Sequence, residues 1–348
     1  MTKALVTDLS GPVLTDAERT FLEGHDPWGI ILFARNVVEP DQVARLCAAF
    51  REAVGRPDAP VFVDQEGGRV QRLREPNWRR YPAAQAICDL HARDRERGLL
   101  AAYALGRLHA RDLRAVGITV NCLPVVDVAT ATMHDVIGDR ALGHDPHTVA
   151  ALGRAICDGL CAGGVAPVLK HIPGHGRARA DSHAELPVVN ASEAELRRTD
   201  FAPFVALRDQ PIAMTAHVVY SAIDPHNAAT LSATVMRLVR EELGFDGLVV
   251  SDDICMNALS GSIESRAHRT VEAGCDIVLH CNAPLEQRIT VAQHTPALDG
   301  EARRRANAAL ATVTEPDLFD AERFEALMDE LAPASSRALR DPTRYVVS

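Results

Sequence analysis

The chain has 348 residues, with 37 Lys plus Arg against 47 Asp plus Glu and a formal net charge of −10, a balance that gives no sign of a polyanion-binding face and argues against a nucleic-acid partner. Hydrophobic residues at 47% and charged ones at 24% are ordinary globular proportions, which excludes disordered and fibrous classes and suffices for a large core. No run of about 18 apolar residues is present, and the opening MTKALVTDLSG reaches Asp8 before a signal-peptide core could form, so no membrane partner and a cytoplasmic location are expected. Eight short apolar, β-rich runs then recur in order, at residues 4–7, 29–33, 61–63, 118–121, 167–169, 212–215, 248–251 and 276–279, each followed by a polar or Gly-containing loop and helix-patterned sequence. After the first, Thr15-x-x-Glu18 has the form of a capping box; Ser192-x-x-Glu195 repeats it, and Gly244 closes the helix that begins near Ser232. Residues 65–117 exceed a simple unit and hold a long Ala/Leu/Arg helical region at 83–116, read as an insertion with an extra helix. Residues 281–348 are read as closing helices.

Strands that are nearly all apolar are what a parallel sheet covered by helices requires. Eight β/α units predict a closed (β/α)8 barrel of the TIM type, an α/β fold, as one domain over residues 1–348. A doubly wound open sheet would normally carry a Gly-rich dinucleotide turn after its first strand, and Asp8-Leu-Ser-Gly11 is not one. The eight cysteines (Cys47, Cys88, Cys122, Cys157, Cys161, Cys255, Cys275 and Cys281) are scattered through mostly apolar segments with no C-x2-C pair, which predicts reduced, packed thiols.

Active sites of such barrels form at the carboxyl ends of the strands. The residues at or just beyond those ends are Asp8, Arg35, Asp64 with Arg69, Asp127 with Arg140, Lys170 with His171, His217, Asp252 with Asp253, and His280 with Asn282. Ordinary solvated loop charges do not readily explain polar groups at all eight.

Three segments concentrate the chemistry. The stretch from Lys170 to His183, KHIPGHGRARADSH, holds three histidines and an aspartate, and Pro173, Gly174 and Gly176 forbid a helix there and favour a mobile loop. His171-x3-His175 is a zinc spacing only on a helix, so a metal centre fits poorly. An Asp181/His183 pair fits better: the carboxylate fixes the imidazole tautomer, and the histidine can act as general acid and base, worth ~10²- to 10⁴-fold in rate. The seventh strand ends in Ser251-Asp252-Asp253, and a carboxylate emerging there can attack an electron-poor carbon. One of the two acids should face the pocket and the other point away; side-chain alternation alone does not choose, although Asp253 as a helix N-cap would leave Asp252 for chemistry. In Asp64-Gln-Glu-Gly-Gly-Arg69, the glycines permit a sharp turn that lets Asp64 and Arg69 both face the pocket and bind sugar hydroxyls, or pair with each other as a buried ion pair.

Together these segments resemble the bacterial β-N-acetylglucosaminidases of glycoside hydrolase family 3, the single-domain enzymes of cell-wall recycling. The resemblance runs through VDQEGGRVQRL at 63–73, NCLPVVDV at 121–128, VIGDRALGHDP at 136–146, KHIPGHGRARADSHAELP at 170–187, MTAHVVY at 214–220 and VVSDDICMNAL at 249–259. It implies Asp252 as nucleophile, His183 as an unusual general acid/base and Asp181 as its partner. It further implies sugar binding by Asp64, Arg69, Arg140, Lys170 and His171, with His175 shaping the loop. The implied reaction is retaining, exo-acting hydrolysis of terminal GlcNAc from GlcNAc-1,6-anhydro-MurNAc and its peptides, by a monomer that needs no metal or other cofactor. Transfer of the sugar to phosphate, or a barrel that binds sugar without turnover, are the competing readings. Departures from the family pattern, such as Ile172 where Phe is frequent, touch no reacting group.

Overall fold

A computed structural model describes residues 1–130, 137–178 and 185–331. Eight parallel strands close into a barrel in the order in which they occur in the chain: β1 (Lys3–Asp8), β2 (Pro27–Leu32), β3 (Val61–Val63), β4 (Val120–Asn121), β5 (Ala166–Ile172), β6 (Ile212–Thr215), β7 (Leu248–Asp253) and β8 (Ile277–His280). Each of the eight expected runs overlaps one of them. β1 closes the barrel by pairing with β8 through Leu5↔Val278, Val6↔Leu279 and Thr7↔His280.

The pleat sorts the apolar residues into two cores. Leu5, Leu32, Leu169, Ala213, Val249 and Val278 point out to the surrounding helices, while Val6, Ile31, Phe62, Val168, Met214, Val250 and Leu279 fill the barrel. Both sides of every strand are therefore covered, which is why the runs read as continuous apolar sequence.

The helices are α1 (Asp16–His25), α2 (Pro40–Val54), α3 (Ala84–Arg93), α4 (Arg95–Arg114), α5 (Pro146–Ala162), α6 (Glu193–Arg198), α7 (Ala202–Ala206), α8 (Ala233–Arg237, continuing as a π turn over Leu238–Glu242), α9 (Ile263–Ala273), α10 (Leu285–His294), α11 (Gly300–Leu310) and α12 (Ala321–Leu331). Thr15 and Glu18 do form the reciprocal capping box of α1. At α6 only half of the expected box is present: Ser192 Oγ accepts from the Glu195 amide, while the Glu195 carboxylate pairs with Arg177 at 2.8 Å. The helical region at 83–116 divides at Asp94, which ends α3 and accepts from the Arg97 amide to start α4; its short polar side chain offers the backbone a cap in place of a continued helix. The closing helices have a definite task at the barrel's amino-terminal end. There Ala306 and Ala309 of α11 join the interior core, and Leu298 donates from its amide to the Thr2 carbonyl at 2.8 Å. All eight cysteines are free thiols, and most are buried.

Candidate active site

At the carboxyl ends of the strands lies a cavity of about 380 Å3 with an apolar floor including Ile31, Met214 and Leu279 and a charged wall from β3, β5 and β7. Its volume is within the ~300–1,000 Å3 usual for small-molecule sites.

The charged wall begins where β3 runs into a small hairpin, Gln65–Gly67 against Val70–Gln71. Gly67 at φ +103° and Gly68 at φ +58° make the turn, and a Cβ on Gly67 would stand 2.3 Å from the Pro82 carbonyl oxygen, so only glycine fits. The hairpin places Asp64 and Glu66, two apart on an extended segment, on one face. Lys170, buried at the end of β5, bridges them, its Nζ 2.8 Å from Asp64 Oδ1 and 2.7 Å from Glu66 Oε1. Arg140 adds a two-pronged pair to Glu66, with both contacts at 2.8 Å, and Arg72 donates to Asp64 Oδ2 at 3.1 Å.

Burial alone would raise both carboxyls, but the surrounding cations outweigh it: Lys170 and Arg72 hold Asp64 far below the usual carboxylate range, and Arg140 and Lys170 hold Glu66 down to about 2. The same acids keep Lys170 and Arg140 charged against a burial that would neutralise them. The result is a preformed set of fixed charges suited to orienting hydroxyl groups.

Next to Lys170, His171 is anchored by Asp127 of the segment after β4. Asp127 Oδ2 is 2.7 Å from His171 Nδ1, and Oδ1 accepts the amides of His171 at 3.1 Å and His175 at 2.6 Å. The carboxylate thus accepts a hydrogen bond from Nδ1–H of His171, which leaves Nε2 as the ring's other functional nitrogen. Asp127 is buried, which raises its carboxyl, but His171 and the hydrogen bonds bring it below the ordinary value. The loop beyond β5 is packed as far as Ala178: His175 is buried, and burial and the nearby His171 push its imidazole down to about 4, so it is neutral at pH 7.

At the end of β7, Asp252 is half-buried and lines the cavity. Its amide donates to Thr215 Oγ1 at 3.2 Å, and its Oδ1 accepts the Asp253 amide at 2.8 Å. Asp253 is buried and caps no helix. Its Oδ1 instead accepts the amides of Cys255 at 3.0 Å and Cys281 at 3.1 Å, tying the ends of β7 and β8 together. Burial raises its carboxyl to about 6 despite those two bonds, with the charge on Asp252 adding to the rise. The carboxylate accessible to the cavity is therefore Asp252.

Of the residues expected at the site, Asp64, Arg69, Arg140, Lys170, His171 and Asp252 all line this cavity, whereas Asp181 and His183 lie outside the described residues. Asp64 and Arg69 do not pair with one another: Arg69 sits at the hairpin tip with its Nε 3.1 Å from Asp139. Asp8 and Arg35 instead pair together, and Asp8 is also 2.8 Å from Arg288 Nε. Glu66 and Arg72 were missed by sequence reasoning. The signal was the period of two after Asp64, which puts Glu66 beside it, and the hairpin that returns Arg72 to the same face.

The glycosyl hydrolase family 3 N-terminal domain matches residues 8–313. The chain is 39% identical over 284 residues to the beta-hexosaminidase of Nitrosomonas eutropha, covering 80% of this chain and 81% of that one. With the beta-hexosaminidase of Methylococcus capsulatus it is 42% identical over 281 residues, covering 80% and 82%. The crystal structure of NagZ from Neisseria gonorrhoeae in complex with N-trifluoroacetyl-D-glucosamine superposes with a TM-score of 0.84 at 32% identity, covering 95% of this chain and 97% of that one.

Proposed function

The chain belongs to glycosyl hydrolase family 3 and is a glycoside hydrolase of the β-N-acetylhexosaminidase type, and on that premise we propose that it removes terminal β-linked GlcNAc, exo-wise and with retention, from GlcNAc-1,6-anhydro-MurNAc and its peptides. The observation that carries this reading is the half-buried Asp252 at the end of β7, in one cavity with the fixed charges of Asp64, Glu66, Arg140 and Lys170. Those charges and His171 bind the hydroxyls of the terminal sugar. Asp252 attacks the anomeric carbon to form a glycosyl-enzyme while His183, with Asp181 as its partner, protonates the leaving oxygen; His183 then activates the water that releases the sugar. A histidine suits this second role because its unperturbed pKa of ~6.5 lies near neutral pH, where a carboxylic acid would need burial to remain protonated.

Two variants test the assignment. Asp252→Ala abolishes turnover of an aryl N-acetyl-β-glucosaminide, and His183→Ala retains turnover only where the leaving group needs no proton. Full activity of both variants on the aryl substrate would sink the mechanism. Adding phosphate and assaying for GlcNAc-1-phosphate distinguishes hydrolysis from transfer to phosphate.

A further inference from the structure

Thr215, His217 and Thr230 are fully or almost fully buried, and no step above uses their side chains. They surround the one place where β7 leaves the regular ladder. β7 pairs with β6 only through Leu248, Val249 and Val250, and its register against β8 shifts between Val250 and Asp253. The amide of Asp252 lies beyond that ladder, where an unsatisfied buried donor would be costly. It donates instead to Thr215 Oγ1 at 3.2 Å.

The contacts continue from there. The hydroxyls of Thr215 and Thr230 are 2.7 Å apart, Thr230 Oγ1 is 2.7 Å from His217 Nδ1, and His217 Nε2 is 2.9 Å from the carbonyl oxygen of Asp253. A carbonyl oxygen only accepts, so Nε2 carries a proton. In the neutral ring Nδ1 then accepts from Thr230, Thr230 accepts from Thr215, and Thr215 accepts from the Asp252 amide. In this assignment the four donors all point the same way around, the arrangement in which hydrogen bonds polarise one another. The Ala216 carbonyl, 3.2 Å from Thr230 Oγ1, is the longer and weaker competitor for that hydroxyl proton.

We propose that Thr215, Thr230 and His217 form a closed hydrogen-bonded ring that grips the backbone of Asp252 and Asp253 from the amide of the first to the carbonyl of the second, and thereby holds the Asp252 carboxylate where it reacts. Thr230 and His217 are positioning residues: neither lines the cavity, and they act through the backbone of the nucleophile. The inference rests on the assignment of Asp252 as nucleophile.

Thr230→Val keeps the shape of the side chain and removes the hydroxyl; Thr230→Ser keeps the hydroxyl. On an aryl N-acetyl-β-glucosaminide, Thr230→Val lowers kcat by about 10²-fold, the scale of a small misplacement of a reacting group, with KM near the wild-type value, and Thr230→Ser restores most of the rate. Nitrogen NMR of the wild-type protein shows His217 as the neutral tautomer protonated at Nε2. A Thr230→Val enzyme with wild-type kcat, a Thr230→Ser enzyme as impaired as the valine variant, or a wild-type His217 protonated only at Nδ1 would each overturn the ring. The NMR measurement needs neither turnover nor a folded variant. A wild-type chain without hydrolytic activity would therefore count against the functional reading, while the tautomer still decides the ring.

Discussion

The ends of β5 and β7 meet in the same cavity and handle buried charge in opposite ways. At β5, Lys170 and Arg140 are interleaved with Asp64 and Glu66. The lowered carboxyls and raised cations leave every charge in place from above the ordinary carboxylate value of 4.5 to below the ordinary lysine value of 10.5. At β7, Asp253 is held mainly by backbone amides and is pushed up to about 6 by burial. Compensated charges make a cavity wall whose electrostatics are constant over the working range, whereas an acid held by amides beside a second acid makes a strand end that titrates near neutrality. In the mechanism proposed above, the β5 end orients the sugar and the β7 end makes the bond.

The contrast can be broken most forcefully at Lys170. Lys170→Met leaves Asp64 and Glu66 buried with one cation removed from between them, and breaking a buried pair from one side costs about 3–5 kcal/mol. Urea unfolding at pH 7 measures the loss; a variant as stable as wild type would show that the acids do not depend on Lys170.

A smaller effect of opposite sign is expected at Asp253. Its folded pKa of about 6 lies above the ordinary value of 3.8, so ionising it opposes folding: the penalty is absent below the ordinary value, grows between the two, and is complete above pH 6. Asp253→Asn is therefore more stable than wild type at pH 7 by up to about 3 kcal/mol, and the difference vanishes near pH 4. Thermal melts of both proteins across pH 4 to 7.5 give the comparison, and a constant difference at all pH values would refute it.

His175 offers a third measurement. With its imidazole pushed down to about 4, it stays neutral until the pH falls well below 6.5. Stability is then lost with falling pH as the unfolded chain takes up a proton that the folded one refuses. An NMR titration of its ring protons reads this directly, and a midpoint near 6.5 would contradict the packing of the loop. The smallest effect belongs to the hairpin tip: Arg69 and Asp139 are both partly exposed, so Arg69→Gln changes stability by only about 0–1 kcal/mol. Arg72→Gln, beside Asp64, weakens substrate binding more than Arg69→Gln does, as KM values for the two variants test.

Much of this frame was legible beforehand. The eight apolar runs needed no knowledge of their partners, because a strand covered on both faces leaves its mark in its own residues. The cap at Thr15 and the polar residues at strand ends were equally local. The break at Asp94 was obscured because the helix-forming residues on both sides outweighed a single capping signal. Arg72 and Glu66 were overlooked because Arg69 follows the glycine pair directly, whereas the hairpin turns the chain so that the tip residue meets Asp139 and the returning strand carries the guanidinium to Asp64.

The order of β/α units and the residue types offered at the carboxyl ends of the strands were determined by the sequence alone, since periodicity and caps act over a few residues. Which charge meets which was decided only by the tertiary structure. Lys170 and Asp64 are 106 residues apart, and Asp252 and Asp253 differ by one position, yet burial makes one accessible to the cavity and raises the other. Coulomb energy and desolvation depend on distance and on exclusion of water, quantities that exist only once the barrel has closed.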